Sequence, residues 1–188
     1  MSTQQQTQLE RYTQLVRQYS GVLDLSSPKH LQDFEVAIVR CRPFAEAIPE
    51  NARVLDIGSG AGLPAIPIAI LRPDLQITLC EIRSKRAGFL ERVVSVLALE
   101  NTRVHQGDVR SVSGEFDVVT ALWLGSLKNI YTLAQPRLAQ SFSIITRKGQ
   151  ELDYEWQEMP NWLKLETKPL EQGASLVVMK GTHGSENY

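Results

Sequence analysis

Residues 54–64, which read VLDIGSGAGLP, decide the fold of this chain. The apolar run around Asp56 predicts a short buried strand. Glycines at positions 58, 60 and 62 allow the backbone to turn sharply and to approach a ligand closely, because no Cβ intervenes. Pro64 suits the first turn of a helix, whose free N–H groups and positive dipole end favour a carboxylate or a phosphate. The stretch therefore predicts a strand, a tight turn and a helix, with a ligand site at the turn.

The rest of the chain repeats this alternation. Short apolar runs typical of strands occupy 53–57, 76–80, 103–105, 116–120 and 142–146, and helical patterns occupy 66–71, 85–99 and 126–138. Such alternation predicts a mostly parallel sheet with helices on both faces, which is the doubly wound α/β class. Two further β-type runs, 162–168 and 174–180, flank a loop that contains Gly173 and predict a closing antiparallel hairpin. The predicted sheet therefore has seven strands.

The N-terminal part has a different pattern. Apolar residues recur at helical spacing over 7–19, and a second helical stretch is predicted over 28–47. We expect residues 1–49 to form a helical cap on a Rossmann-like core at 50–182, within one domain that spans 1–188. The last residues, 183–188, are expected to be a frayed tail.

Composition restricts the function. The 188 residues include 20 lysines and arginines against 21 aspartates and glutamates, so the net charge is -1. No global positive field attracts nucleic acid, and an RNA site would have to be a local patch. Cys41 and Cys80 are expected to be reduced and structural, and two cysteines with three histidines do not suggest a metal site. No uncharged apolar run approaches the roughly 20 residues that span a bilayer, which predicts a cytoplasmic protein without a membrane partner.

Two classes of ligand compete for the glycine turn. A dinucleotide fingerprint fits only from Gly60 to Ala65, and that alignment leaves Asp56 and Gly58 without a role. The acid-x-Gly-x-Gly-x-Gly form that starts at Asp56 resembles motif I of class I methyltransferases, where the loop wraps the methionine part of S-adenosylmethionine. We therefore favour a methyltransferase over a nicotinamide-dependent oxidoreductase.

Two acidic residues follow the next strands. Glu81 lies nineteen residues after Gly62, at the end of the second strand, where a carboxylate can accept hydrogen bonds from both ribose hydroxyls of an adenosine. The alternative for Glu81 is a solvated charge paired with Arg83 or Lys85. Asp108, after the third strand, could bond the adenine amino group, and an ordinary turn aspartate is the alternative.

Further runs make a family recognisable. They are GLPAIPIAI at 62–70, LCE at 79–81, KRAGFL at 85–90, LALEN at 97–101 and RKGQ at 147–150. With motif I they resemble the RNA small subunit methyltransferase G family, which uses S-adenosylmethionine to methylate N7 of a guanine in 16S ribosomal RNA. The resemblance covers most of the chain, from Tyr12 to the closing hairpin.

The resemblance implies a cofactor site, an acceptor site and a partner. It places Lys148 and the adjacent Arg147 where they would position the acceptor, with ribosomal RNA or the small ribosomal subunit as partner. We also expect a monomer without a metal ion. Guanine N7 has a free lone pair, so no catalytic base is expected. Trp123 could stack on a base, or belong to the core. The cofactor residues implied are Asp56, Gly58, Ser59, Gly60, Gly62, Leu63, Glu81, Ile82, Asp108, Val109 and Ala121.

The chain departs from the family on the acceptor side. The family carries an Arg-Ala pair after the fourth strand, where this chain has Ala121, Leu122 and Trp123. The early Asn-Leu-Thr of the family is Asp24-Leu25-Ser26 here, and its Arg-His pair before the first strand is absent around 36–38. Methylation of another RNA or of a small molecule therefore stays open, as does a paralogue that binds cofactor or RNA without catalysis.

Overall fold

The computed structural model describes residues 1–23, 25 and 32–183. They are organised around one sheet whose strands are β1 (Arg53–Ile57), β2 (Gln76–Glu81), β3 (Thr102–Gln106), β4 (Phe116–Thr120), β5 (Leu138–Lys148), β6 (Lys164–Pro169) and β7 (Ser175–Thr182). The strand order is β3-β2-β1-β4-β5-β7-β6. Neighbouring strands from β3 to β5 pair in parallel, and β7 is antiparallel to both β5 and β6. The predicted seven-stranded sheet with a C-terminal antiparallel hairpin is confirmed.

Helices cover both faces of the sheet. They are α1 (Thr3–Leu23), α2 (Phe34–Val39), α3 (Arg42–Ala47), α4 (Ala65–Leu71), α5 (Ser84–Val96), α6 (Leu127–Ala134) and α7 (Leu152–Gln157). One apolar cluster joins α1 to α5 with one face of the sheet, and Tyr12, Phe44 and Leu90 are among its fully buried members. The other joins α6, α7 and the hairpin with the opposite face. The doubly wound arrangement follows, since each face of the sheet buries its own helices.

The N-terminal cap contains a break that the sequence analysis missed. The single helix predicted over 28–47 is wrong, because α2 ends at Val39 and α3 starts at Arg42; residues 28–31 of that prediction lie outside the described residues. Pro43 explains the break, since proline has no N–H to donate to the carbonyl four residues earlier. The N–H of Phe44 bonds to the Cys41 carbonyl three residues earlier, and the N–H of Ala45 bonds to the same carbonyl as the first regular bond of α3.

Other boundaries also differ from the prediction. Pro136 lies in a 3-10 turn that ends α6 at Ala134, so β5 begins at residue 138 and not at 142. The helix predicted over 85–99 ends at Val96, and α7 was not predicted. His183 is not frayed, because its N–H donates to the Gln140 carbonyl at 2.8 Å. The rest of the predicted tail, 184–188, lies outside the described residues.

A partly buried arginine fastens the end of the cap to the core. One guanidinium nitrogen of Arg72, just after α4, donates to the carbonyls of Ala45 at 2.7 Å and Ile48 at 2.9 Å. The same side chain pairs with Asp74 at 2.7 Å, and this hydrogen-bonded pair lowers the pKa of Asp74 to about 2. The charge of Asp74 therefore keeps the guanidinium aimed at the end of α3.

We expect Arg72→Ala to lower the free energy of unfolding by about 2 kcal/mol in urea titrations at neutral pH, because the cap carbonyls lose a charged donor. The folded pKa of Asp74 lies below the unfolded value of about 3.9, so its stabilisation is complete above that pH and is lost as pH falls toward 2. Arg53→Ala is the control, because its pair with Asp117 is 47% and 37% exposed and should contribute less than about 1 kcal/mol. Equal losses of unfolding free energy in the two variants would contradict the role of Arg72 in fastening the cap to the core.

Candidate cofactor and acceptor site

The glycine loop between β1 and α4 lies at the carboxyl edge of the sheet. Gly58, Gly60 and Gly62 all have positive φ angles, of 71°, 53° and 103°, which side chains rarely adopt. A Cβ at position 62 would lie 2.6 Å from Ile66 Cγ1 and 3.0 Å from the Tyr12 hydroxyl. The glycines are thus required by backbone conformation, and at position 62 also by close packing.

Asp56, the next-to-last residue of β1, is a buried acid beneath this loop. Its side chain is 1% exposed, and Oδ1 accepts a 2.6 Å hydrogen bond from the Thr120 hydroxyl. Oδ2 is buried and has no hydrogen-bond partner among the described residues. Burial, with a contribution from the nearby Glu81 charge, raises the pKa of Asp56 to about 7. An orphaned acceptor of this kind fits a ligand that brings a positive charge or an N–H donor.

Glu81 holds the glycine loop in place. Its side chain is buried, Oε2 accepts from the Gly60 N–H at 2.9 Å, and Oε1 accepts from the Arg83 N–H at 2.8 Å. The alternative of a solvated strand-end charge is wrong. Each carboxylate oxygen keeps a further lone pair that can accept from a hydroxyl donor. The next residue, Ile82, is 67% exposed and offers an apolar surface beside this carboxylate.

Asp108 is engaged in its own turn. Its Oδ1 accepts from both the backbone N–H of Arg110 at 2.9 Å and the guanidinium Nε at 2.8 Å. The side-chain hydrogen bond with Arg110 holds the pKa of Asp108 well below its usual range. This is the turn aspartate of the sequence analysis, and Val109 beside it is buried. An adenine contact by Asp108 stays a prediction.

The N-terminal cap braces the glycine loop through Tyr12. The Tyr12 side chain is fully buried, its hydroxyl donates to the Ala61 carbonyl at 2.8 Å, and its ring packs edge-on against Phe34. The sequence placed Tyr12 on the apolar face of a helix, but nothing in that spacing revealed the partner of its hydroxyl. The cap therefore contributes directly to the shape of the candidate cofactor site.

We expect Tyr12→Phe to raise the Kd for S-adenosylhomocysteine about fivefold, because the Ala61 carbonyl loses its buried donor and the loop loosens. Isothermal titration calorimetry measures this, and the free energy of unfolding should fall by about 1 kcal/mol. Tyr19→Phe is the matched control on the same helix, since no hydrogen bond of its hydroxyl exists among the described residues. An unchanged Kd in Tyr12→Phe would show that the loop needs no brace from the cap.

The loop from β4 to α6 borders the same edge. Ala121 is buried and its N–H donates to the Ile145 carbonyl at 3.2 Å. Trp123 follows with a φ of 58° and a side chain that is 67% exposed, so its assignment to the core is wrong. A Cβ built on Gly58 would lie 2.9 Å from Leu124 Cδ1, which shows that this loop packs against the glycine loop.

Lys148 braces that loop from below. Its side chain is only 7% exposed, and Nζ donates to the Gly125 carbonyl at 2.5 Å and pairs with Glu155 at 2.9 Å. Glu155 in turn accepts from the Leu127 N–H at 2.7 Å, at the start of α6. The ammonium is thus enclosed between the loop and α7, and its role in positioning the acceptor stays a prediction. Arg147 is half-buried and lies on the opposite face of β5.

Lys148→Met should lower the free energy of unfolding by about 3 kcal/mol, because it leaves Glu155 buried without its cation. Lys148→Met combined with Glu155→Leu should recover most of this loss, since no buried charge then remains. Urea unfolding of the two single variants and the double variant measures the coupling. If the losses of unfolding free energy in the two single variants simply added in the double variant, then Lys148 and Glu155 would not depend on each other.

The sheet, the glycine loop that follows β1 and the acid at the end of β2 together define a class I methyltransferase fold. A putative S-adenosylmethionine-dependent methyltransferase from Methanococcus maripaludis superposes with a TM-score of 0.64 and 12% identity over 90% of this chain and 92% of that chain. A SAM-dependent methyltransferase from Aquifex aeolicus gives 0.60 and 13% identity over 86% and 97% of the two chains. Identities this low establish the fold alone.

The chain belongs to the rRNA small subunit methyltransferase G family, which it matches over residues 5–186. Ribosomal RNA small subunit methyltransferase G of Thermobifida fusca is 36% identical over 152 residues, which are 79% of this chain and 64% of that protein. The Streptomyces avermitilis protein of the same name is 33% identical over 175 residues, 89% and 74% of the two chains. The chain thus spans under two thirds of the length of the Thermobifida relative. The resemblance found from the motifs is confirmed.

Three further observations concern the cysteines, the membrane and metal ions. Both cysteines are free and buried, as predicted. No helix within residues 1–23 and 32–183 has the length and apolar character needed to cross a bilayer. The described part of the chain also brings together no group of three histidine, cysteine or acidic side chains that could hold a metal ion.

Proposed function

We propose that the chain is an S-adenosylmethionine-dependent methyltransferase that modifies N7 of a guanine in 16S ribosomal RNA. The observation that carries the proposal is the cradle in which Gly60 is held by Glu81 while the neighbouring Asp56 keeps an unpaired buried oxygen. Membership of the rRNA small subunit methyltransferase G family over residues 5–186 supplies the acceptor class. S-adenosylmethionine, when bound, supplies an electrophilic methyl group on its sulfonium sulfur.

The residues of the cradle fit such a cofactor. Asp56 would receive the positively charged methionine part, and Glu81 would accept from the ribose hydroxyls with the lone pairs that Gly60 and Arg83 leave free. Ile82 offers an apolar surface for a flat ring. The remaining contacts would come from the backbone and side chains of Gly58, Ser59, Gly62, Leu63, Asp108, Val109 and Ala121.

On the acceptor side the protein has only to position the base. Guanine N7 carries its own lone pair, so the reaction depends on near-attack geometry and not on proton removal. Exposed Trp123 would stack on the base, Lys148 would fix the loop that carries it, and Arg147 would contact the acceptor strand. We further propose one domain, with residues 1–49 as cap and 50–182 as core, that acts as a metal-free cytoplasmic monomer on ribosomal RNA or the small subunit.

Calorimetric titration with S-adenosylmethionine, S-adenosylhomocysteine and NAD tests the cofactor. We expect the first two to bind and Asp56→Ala to bind at least tenfold more weakly, with Asp117→Ala as the matched control on a neighbouring strand. A cationic ligand lowers the pKa of Asp56 from about 7, so binding should release a proton and strengthen as pH rises through that value. Binding of NAD alone would favour an oxidoreductase.

The acceptor requires a second measurement. Purified small subunits and free 16S ribosomal RNA from a strain that lacks this gene would be incubated with radiolabelled S-adenosylmethionine, and the modified base mapped by mass spectrometry. We expect one labelled guanine carrying the methyl group on N7.

Leu122 stands where the family has arginine, and this observation favours the second candidate, a paralogue that binds cofactor without methylating ribosomal RNA. Cofactor binding without label would support that candidate.

A further inference from the structure

A second recess lies on the carboxyl edge of the sheet, outside the cofactor cradle. It holds about 230 Å³ and lies between the cap helices α2 and α3, the end of β5 and the turn from β6 to β7. Because β5 ends at Lys148 and β7 begins opposite it at Ser175, this turn lies on the same edge as the glycine loop. We call it the arginine recess, after the residues Arg40, Arg42 and Arg147 that line it.

The charges of the arginine recess do not cancel. Glu46 is shared by Arg42 and Lys168, each at 3.2 Å. Glu171 pairs with Arg40 at a longer 3.4 Å. Three arginines therefore line the recess beside two carboxylates, one of which also pairs with Lys168 from outside the lining, in a chain whose net charge is -1. The recess is a local positive patch of the kind that the overall composition would require for binding RNA.

Two of the guanidinium groups have unused donors. Arg147 is half-buried and has neither a hydrogen bond nor a carboxylate partner from its side chain among the described residues. Nε of Arg40 is buried and makes no hydrogen bond within the same part of the chain. Buried donors without acceptors are unfavourable, and a planar guanidinium matches two oxygens of a phosphate group. The walls between these cations include Val39, Pro43 and Leu170, which can contact sugar and base carbons.

We propose that the arginine recess binds backbone phosphates of the RNA strand that carries the acceptor base. This inference rests on the proposed function and adds Arg40 and Arg42 of the cap to Arg147 as the residues that hold the strand. The position of the recess on the reacting edge allows one strand to contact these arginines while a neighbouring nucleotide reaches the cradle. Phosphate contacts of this kind fix register and orientation without reading sequence.

The test is salt-dependent binding of fluorescein-labelled oligouridine and of 16S ribosomal RNA to protein saturated with S-adenosylhomocysteine. Each phosphate contact that is lost should reduce the slope of log Kd against log salt by about 0.7 for a single strand. We expect Arg147→Gln to show that reduction, and Arg42→Gln with Arg147→Gln to show about twice as much with an approximately tenfold higher Kd. Lys164→Gln is the control, because Lys164 is exposed and begins β6 at the opposite edge of the sheet.

The outcomes separate this inference from the function on which it rests. Reduced slopes in the recess variants, with unchanged S-adenosylhomocysteine affinity and melting temperature, would support it. Unaltered slopes and affinities in the recess variants of a protein that does bind RNA would overturn the recess and leave the methyltransferase intact. If the wild-type protein binds neither RNA, then the ribosomal RNA function fails and the recess proposal fails with it.

Discussion

The left-handed backbone of the glycine loop is the constraint on which the rest of the site depends. Three positive-φ glycines at the alternate positions 58, 60 and 62 would sample many conformations if nothing held them. Two buried side chains from distant parts of the chain hold the loop, since Glu81 accepts from the Gly60 N–H and Tyr12 donates to the Ala61 carbonyl. The sheet supplies the first and the cap supplies the second, so the loop has its shape only when both have folded.

The two buried acids of the site, Asp56 and Glu81, also create an unfavourable electrostatic environment that a ligand could relieve. Asp56 and Glu81 are both buried, and their proximity raises the pKa of Asp56 beyond what desolvation alone would do. A buried carboxylate with an unpaired oxygen is unfavourable in the free protein, and a cation placed beside it relieves both the desolvation and the repulsion. In the proposed function, this charge arrangement would favour a ligand with a positive centre and a pair of hydroxyls over a ligand that is purely anionic.

Sequence reasoning found the fold because strand burial and glycine spacing are local properties. The run around Asp56 and the alternation of strands and helices sufficed for the fold class and the number of strands, while boundaries failed where prolines such as Pro136 ended a helix early. In the candidate site, too, local features could be predicted and long-range contacts could not. The motif placed Glu81 beside the glycine loop, and its ribose contact stays a prediction. The hydrogen bond of the Tyr12 hydroxyl and the pairing of Lys148 with Glu155 depend on elements far apart in sequence. The spacing of apolar residues along the chain gives no information about such contacts.

The loop between β4 and α6 is held by two charged side chains that lie outside it. Leu122 of this loop packs against the core, Lys148 fixes the loop at Gly125, and Glu155 fixes it at Leu127. The arginines of the recess lie beside α2, in α3 and near the end of β5, away from this loop. Because phosphate contacts orient a strand without specifying a base, arginines at these positions would set how the proposed RNA strand approaches while leaving the cofactor cradle unchanged.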